Sequence, residues 1–411
     1  MVTSKVASSS VSTARKTVAE TVVIDGNKAA AYGAMLSRAQ VVAAYPITPQ
    51  SPVVENLSTF VADGLLDADF VDVESEHSAL SVLHGAALAG ARTFTATSGQ
   101  GLCFMFEPYV RTSSMRLPIV MCIATRETLT PQSIWGGHQD AFLVREAGWI
   151  QMFAENNQEI LDSVIMAYKI AENPDVALPV NVCFDGFYLS HMAERVDLPP
   201  QELVDSFLPP PRVLHSTLDP DHVMAVDPLT PGDLLVQYRH MHVQAMQRAK
   251  KVIVDVHKEF AELFGRSYGG LIEEYRMDGA EMAIVANGAP VGTAREAVDI
   301  ARANGKKIGL VKLKTMRPFP RQELCAVLGN LKAVGVMDKN VCYGWASGAI
   351  LMEVRSALKD VKNSPPVVGF IDGLGGADIT LEDYDRAIGI IEEAAKGDVE
   401  NEVTWLALEE E

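Results

Sequence analysis

From Val22 onward, short β-rich apolar runs alternate with segments whose apolar residues recur every three or four positions. That is the pattern of βαβ units assembled on a mostly parallel sheet. Buried strands are predicted at residues 41–45, 70–73, 93–97, 119–124 and 180–184. Between them, 26–38, 51–61, 76–91, 100–115 and 158–171 carry helical spacing, as helices covering such a sheet do.

Eight prolines between Pro199 and Pro231 interrupt this pattern and exclude regular helix or strand over most of the span. One long amphipathic helix is predicted over 233–264, and alternation resumes at 281. Further strands are expected at 282–286, 307–313, 333–337 and 367–370, with helices near 292–303, 321–328, 347–358 and 381–395. The expected organisation is therefore a tail over 1–21, an α/β domain over 22–198, a Pro-rich connection plus long helix over 199–280, and a second α/β domain over 281–411.

A length of 411 residues with 48% hydrophobic content is enough for two separate cores. With 35 basic against 53 acidic residues, the formal charge of −18 opposes nonspecific attraction to nucleic acid or anionic lipid. No apolar stretch approaches the ~20 residues that cross a bilayer. The first 20 residues, rich in Ser, Thr, Val and Ala, lack a continuous apolar run followed by a cleavage-like site, so a tail is expected there and not a signal. Cys103, Cys122, Cys183, Cys325 and Cys342 stand far apart, which fits a reducing cytoplasm. Without a C-x-x-C pair, this chain alone does not supply the usual four thiolates of an iron–sulfur cluster. Any cluster is expected on a partner.

In open α/β sheets, functional groups collect past the carboxyl ends of strands. After the strand at 41–45 comes Tyr45-Pro46-Ile47-Thr48-Pro49. Its prolines hold an extended turn, and the Thr48 hydroxyl either donates to a ligand carbonyl or carboxylate or caps the next helix. After 70–73 comes Glu74-Ser75-Glu76-His77; Glu76 opens a helix of small and apolar residues. It either complements the helix dipole or, if enclosed, exchanges a proton with a ligand ring nitrogen. Arg126 follows the strand 119–124, placed either to bind a substrate carboxylate in two-pronged fashion or to sit solvated at the surface. His77, His84 and His138 lack the carboxylate or thiolate spacing of a metal site. The glycines at 99–101 and 373–376 do not form a dinucleotide fingerprint and are expected to serve turns. Asp185-Gly186 resembles a fragment of a diphosphate–magnesium motif and is expected to be a loop.

Taken in order, "YPITP" at 45–49, "ESEHSAL" at 74–80, "ATSGQGL" at 96–102, Arg126, "SIWGGHQD" at 133–140, "FDGF" at 184–187, "RPFP" at 317–320 and "GLGGADIT" at 373–380 resemble the alpha subunit of pyruvate:ferredoxin oxidoreductase and its 2-oxoacid relatives. The resemblance spans roughly residues 22–395. It implies a thiamine-diphosphate pyrimidine-binding domain followed by a transketolase C-terminal-like domain, both α/β with mostly parallel sheets. It implies that Glu76 contacts the cofactor's aminopyrimidine ring and drives general acid–base catalysis relayed through the cofactor, with Pro46 and Ser98 also at the cofactor. Thr48, Arg126, Ile47 and Trp135 would line the 2-oxoacid.

The implied reaction is oxidative decarboxylation of a 2-oxoacid to an acyl-CoA and CO2. Magnesium and the cofactor's diphosphate would sit on a beta-type subunit, and electrons would pass to iron–sulfur clusters on gamma- and delta-type subunits, then to ferredoxin or a flavoprotein/NAD module, in an anaerobic cytoplasmic complex. Gly137 stands where an acidic residue is expected, which would enlarge or de-acidify the pocket and admit a bulkier acid such as phenylglyoxylate in place of pyruvate. A non-redox transketolase-like or dehydrogenase E1-beta-like subunit, or a non-catalytic scaffold, remains open from the residues alone.

Overall fold

The computed structural model describes residues 17–128, 131–210 and 217–408. Most of the expected tail lies outside the described residues, but the chain already forms strand β1 (Glu20–Ile24) before residue 22. In chain order there follow α1 (Gly26–Leu36), β2 (Val41–Ala43), α2 (Ser51–Ala62), β3 (Asp69–Val71), α3 (Glu76–Leu88), β4 (Thr93–Thr97), α4 (Gly99–Phe104), α5 (Phe106–Ser114), β5 (Val120–Thr125), α6 (Gln139–Leu143), β6 (Ile150–Phe153), α7 (Asn157–Ala171), β7 (Val180–Asp185), α8 (Tyr188–His191), β8 (Glu194–Leu198) and α9 (Gln201–Phe207). Helix α10 (Gly232–Phe264) leads into β9 (Ile272–Tyr275), β10 (Met282–Ala286), α11 (Pro290–Ala303), β11 (Ile308–Leu313), β12 (Thr315–Arg317), α12 (Arg321–Leu328), β13 (Ala333–Asp338), α13 (Ala349–Leu358), β14 (Val367–Ile371), α14 (Leu381–Lys396) and β15 (Val403–Trp405).

The first large sheet has the order β12-β6-β7-β5-β4-β2-β3, and the second has the order β15-β14-β13-β10-β11-β9. Each is parallel except for one antiparallel edge strand, β12 against β6 and β9 against β11. A two-stranded antiparallel ribbon joins β1 to β8. The second sheet therefore starts before residue 281, and β12, from inside the span expected to be the second domain, completes the first sheet.

Two local differences from the sequence reading have plain causes. The helix expected over 100–115 breaks at Met105 into α4 and α5, because Pro108 has no N–H to continue the ladder and its ring crowds the carbonyl four residues back. Inside the Pro-rich span, α9 forms because Gln201–Phe207 falls between Pro200 and Pro209, and it buries Leu203, Val204 and Phe207.

Alanine-rich α1 packs closely on α7, where Gly33 leaves no room for a side chain beside Val164. That face of the first sheet continues into the core under the second half of α10, through Ala245, Ala249, Ile253, Phe260 and Phe264. On the opposite face, Leu80, Leu83, Tyr109 and Trp149 belong to one apolar cluster with Val285, Val311 and Val336 of the second sheet and Ile350 of α13. Polar linkage reinforces it. Lys312 on β11 and Lys314 just past it reach Glu155, before α7, and Glu159, in its first turn, at 2.7–2.8 Å.

Candidate functional site

Because β2, β3, β4, β5 and β7 run parallel, their carboxyl ends open on one edge, and the residues following them meet there. The Ser75 side chain caps α3 by accepting from Ser78 N–H at 3.1 Å, which sets Glu76 as the first helical residue. Its carboxylate is buried and has no hydrogen-bond or ion-pair partner among the described residues. Beneath it lies the start of α4. A Cβ on Gly101 would come within 2.6 Å of both Glu76 Oε1 and the Thr97 hydroxyl, so only glycine leaves space for the carboxylate. The Thr97 hydroxyl is also buried and unpartnered.

Two residues earlier in the same turn, Gly99 adopts φ +48° and lies under Arg126, whose guanidinium carbon would be 2.7 Å from a Cβ there. The Arg126 side chain is buried, donating to Gln100 Oε1 at 2.6 Å and to the Ser133 carbonyl at 3.2 Å, while its Nε has no partner. No carboxylate lies within ion-pair distance of it among the described residues, and burial lowers its pKa against the opposing pull of Asp140. The turn at residues 99–101 thus carries an unpaired buried cation over its first residue and an unpaired buried carboxylate over its third.

The remaining expected residues divide. Thr48 and Pro46 are exposed and Ile47 is half-buried. The helix cap is Gln50, not Thr48, whose hydroxyl stays free. Pro49 ties this loop to the site by accepting from Asn27 Nδ2 at 2.9 Å and by packing against Gly186, where its Cγ would be 2.8 Å from a Cβ. Trp135 stands half out of the surface and tilts on Phe187 at a centroid distance of 4.3 Å. Ser98, expected at the cofactor, donates to the Ala124 carbonyl at 2.7 Å and is fully buried.

The three histidines go separate ways: His77 toward Glu107, His84 to the Thr112 hydroxyl, and His138 to Asp185 at 2.9 Å. Among the described residues, no three His, Cys, Asp or Glu side chains gather as metal ligands would.

Sequence reasoning missed four groups. Asp185 is not merely part of a loop; Lys339 from the end of β13 bonds it at 2.5 Å, and burial, which would raise its pKa, is overcome by Lys339 and His138, so the carboxyl stays well below the usual range. Glu127 fills the space beside Gly137, so the loop keeps an acid although position 137 has none; burial raises its pKa, opposed by the Gly375 N–H and Lys339. Gln100 and Asp140 complete the surroundings of Arg126. For Gln100 and Asp140 the only sequence signal was membership in the conspicuous strings at 96–102 and 133–140, because their partners lie 26 and 14 residues away.

A cofactor ring fits this edge on the chain's own terms: the Glu76 carboxylate, without a partner among the described residues, and the orphaned Thr97 hydroxyl face a glycine cradle. Lys339, Gly373 and Gly376 bring the carboxyl edge of the second sheet against it, the Gly376 N–H donating to the Gly136 carbonyl at 2.6 Å. Phe104, Phe106, Tyr343 and Trp345 are among the large side chains left exposed on loops and helix ends.

Residues 32–258 match the family described as pyruvate flavodoxin/ferredoxin oxidoreductase, thiamine diphosphate-binding, and residues 280–384 match pyruvate:ferredoxin oxidoreductase core domain II. The NADH-dependent phenylglyoxylate dehydrogenase subunit alpha of Aromatoleum evansii is 52% identical over 94% of this chain and 94% of its own length. Pyruvate synthase subunit PorA of Methanocaldococcus jannaschii is 46% identical over 96% of this chain and 100% of its own. Among solved structures, a 2-oxoglutarate:ferredoxin oxidoreductase from Magnetococcus marinus superimposes with a TM-score of 0.70 at 20% identity, covering 91% of this chain and 65% of that one. At that identity the likeness concerns the fold.

Proposed function

The chain belongs to the 2-oxoacid oxidoreductase family, as an alpha-type subunit with a thiamine-diphosphate-binding domain, and from that premise we propose that Glu76 and Arg126 form its half of a composite active site. The observation that carries the proposal is the pair of buried, opposite, mutually unpaired charges over the turn at 99–101. Burying a charge without a partner is costly, and a ligand group of opposite charge or a ring nitrogen would relieve that cost at each.

Glu76 would hold the pyrimidine ring of thiamine diphosphate and exchange a proton with it, helped by the Thr97 hydroxyl. When bound, the cofactor supplies the nucleophilic carbon and the electron sink that decarboxylation needs. Arg126, steadied by Gln100, offers a guanidinium to the substrate carboxylate. Thr48, Ile47 and Trp135 would line the 2-oxoacid, with Pro46 beside the cofactor. This chain lacks the cluster thiolates, and its Asp185 is already committed to Lys339 and His138. A beta-type subunit is therefore the proposed carrier of the diphosphate and magnesium, with iron–sulfur clusters on gamma- and delta-type subunits and coenzyme A as acyl acceptor.

The substrate is proposed to be a 2-oxoacid with a bulky side chain, an aromatic glyoxylate foremost, as the name of the Aromatoleum evansii relative suggests. The test is turnover of a 2-oxoacid panel by the purified complex, followed by viologen reduction in the presence of thiamine diphosphate and coenzyme A. Glu76→Ala is expected to cut that turnover at least about a hundredfold, the usual scale for a lost proton-transfer group. Near-normal turnover in this variant rules out the catalytic role.

A further inference from the structure

Asp140 joins two strand ends through a single atom. Its Oδ2 accepts from Gly99 N–H at 2.8 Å and from Arg126 N–H at 3.2 Å, while Oδ1 accepts from Ala141 N–H at 2.7 Å. In return, its own N–H donates to the Arg126 carbonyl at 3.4 Å. The side chain is fully buried, and all three of its donors are backbone groups. Burial pushes its pKa up to about 7 despite those three donors. A carboxylate held at such a cost is doing more than filling space.

The two groups it ties are the ones on which the site depends. Gly99 begins the turn that carries Gly101 under Glu76, and Arg126 lays its guanidinium back over Gly99. Any slip of α4 against the end of β5 would shift both charged groups together. Displacement of reacting groups by about 1 Å costs on the order of a hundredfold in rate, so a local clamp at this seam bears directly on turnover.

We propose that Asp140 is the positioning residue of the site, clamping the first turn of α4 to the end of β5 so that Glu76 and Arg126 keep one register. This rests on the composite-site reading above. The test compares the intact complex with its Asp140→Asn and Asp140→Glu variants, one losing an acceptor oxygen and the other moving the carboxylate one methylene outward.

Faster hydrogen–deuterium exchange is expected at the amides of residues 99–101 and 126–127, with secondary structure and subunit composition unchanged. KM for the 2-oxoacid should rise roughly tenfold to a hundredfold and kcat should fall with it, whereas a purely structural lesion would lower the active fraction and leave KM alone. Unchanged exchange at both amides, or an unchanged KM in a folded complex, overturns the proposal, as does failure of both variants to assemble. Arg126→Lys separates the two readings. If Arg126→Lys leaves KM unchanged while exchange rises in Asp140→Asn, the clamp stands and the substrate-binding role of Arg126 falls; a raised KM in Arg126→Lys with unaltered exchange in Asp140→Asn gives the reverse.

Discussion

Glu76 and Arg126 bring opposite charges to one buried edge yet do not pair, because the turn at 99–101 lies between them and each is seated over its own glycine. That separation makes their neighbours testable. In Gly101→Ala the added methyl meets Glu76 Oε1 and the Thr97 hydroxyl at 2.6 Å, closer than real side chains approach, so the carboxylate must move. Turnover is expected to fall at least about tenfold while the fold persists, read by steady-state kinetics beside circular dichroism. Arg126→Lys keeps the charge but gives up the planar fork that reaches Gln100 and a ligand at once. KM for the 2-oxoacid is expected to rise by roughly tenfold or more with little change in melting temperature, and an unchanged KM would remove Arg126 from substrate binding. Both residues were visible in the sequence as charged groups just past the carboxyl ends of apolar strands. What makes them a pair, two glycines beneath them and no counter-ion beside them, depends on packing between strands and was not.

The main elements were legible because buried parallel strands and their covering helices leave strong periodicities; β4, β5, β7, α10 and the second-sheet strands β10, β11, β13 and β14 lie within a few residues of expectation. The missed elements are those whose reason is tertiary. β6 is only four residues long and is flanked by other apolar residues, so no alternation marks it, and β9 and β12 are edge strands that exist because each finds a partner in the sheet. The end of β11 also hides a polar device, since Lys312 and, just past the strand, Lys314 pass for surface positions until the facing acids are seen. Burial pushes the Glu159 carboxyl up, but Lys312 and Lys314 outweigh it and hold it at about 2. Lys312→Met would leave Glu155 and Glu159 with less than their balancing charge, a loss expected to cost about 3–5 kcal/mol. Urea unfolding at pH 7 would measure it, and a double change with Glu159→Leu should recover part of the loss.

Over the whole molecule, buried titratable groups pull stability in opposite directions as pH changes. Glu159, held at about 2 against an ordinary 4.5, contributes stability above pH 4.5 that is lost as pH falls toward 2. His257, on the buried face of α10 with neither ring nitrogen bonded, is lowered to about 3, chiefly by burial and then by Lys314. It must remain neutral to stay folded, so it too costs stability as pH falls from about 6.5 to 3. Asp140 and Asp338 act with the other sign. Burial raises each from 3.8 to about 7, so their contribution is complete below pH 3.8 and is lost as pH rises through 7. At about 1.4 kcal/mol per unit, each shift is on the order of 4 kcal/mol. The rising slope of His257 offsets only one of the two falling aspartate slopes between about pH 4 and 6.5, so a net fall of about 1.4 kcal/mol per pH unit is expected there, with a steep acid limb below it. Asp338 offers the cleaner lever, because it bonds only the Ile350 and Leu351 N–H groups at the start of α13. Asp338→Asn keeps an acceptor there but cannot ionise, so one of the two falling slopes disappears. The variant's melting temperature should then climb relative to the parent as pH rises from 4 to 7, measured by calorimetry in matched buffers. Parallel curves across that range would mean that Asp338 does not titrate near neutrality in the folded chain.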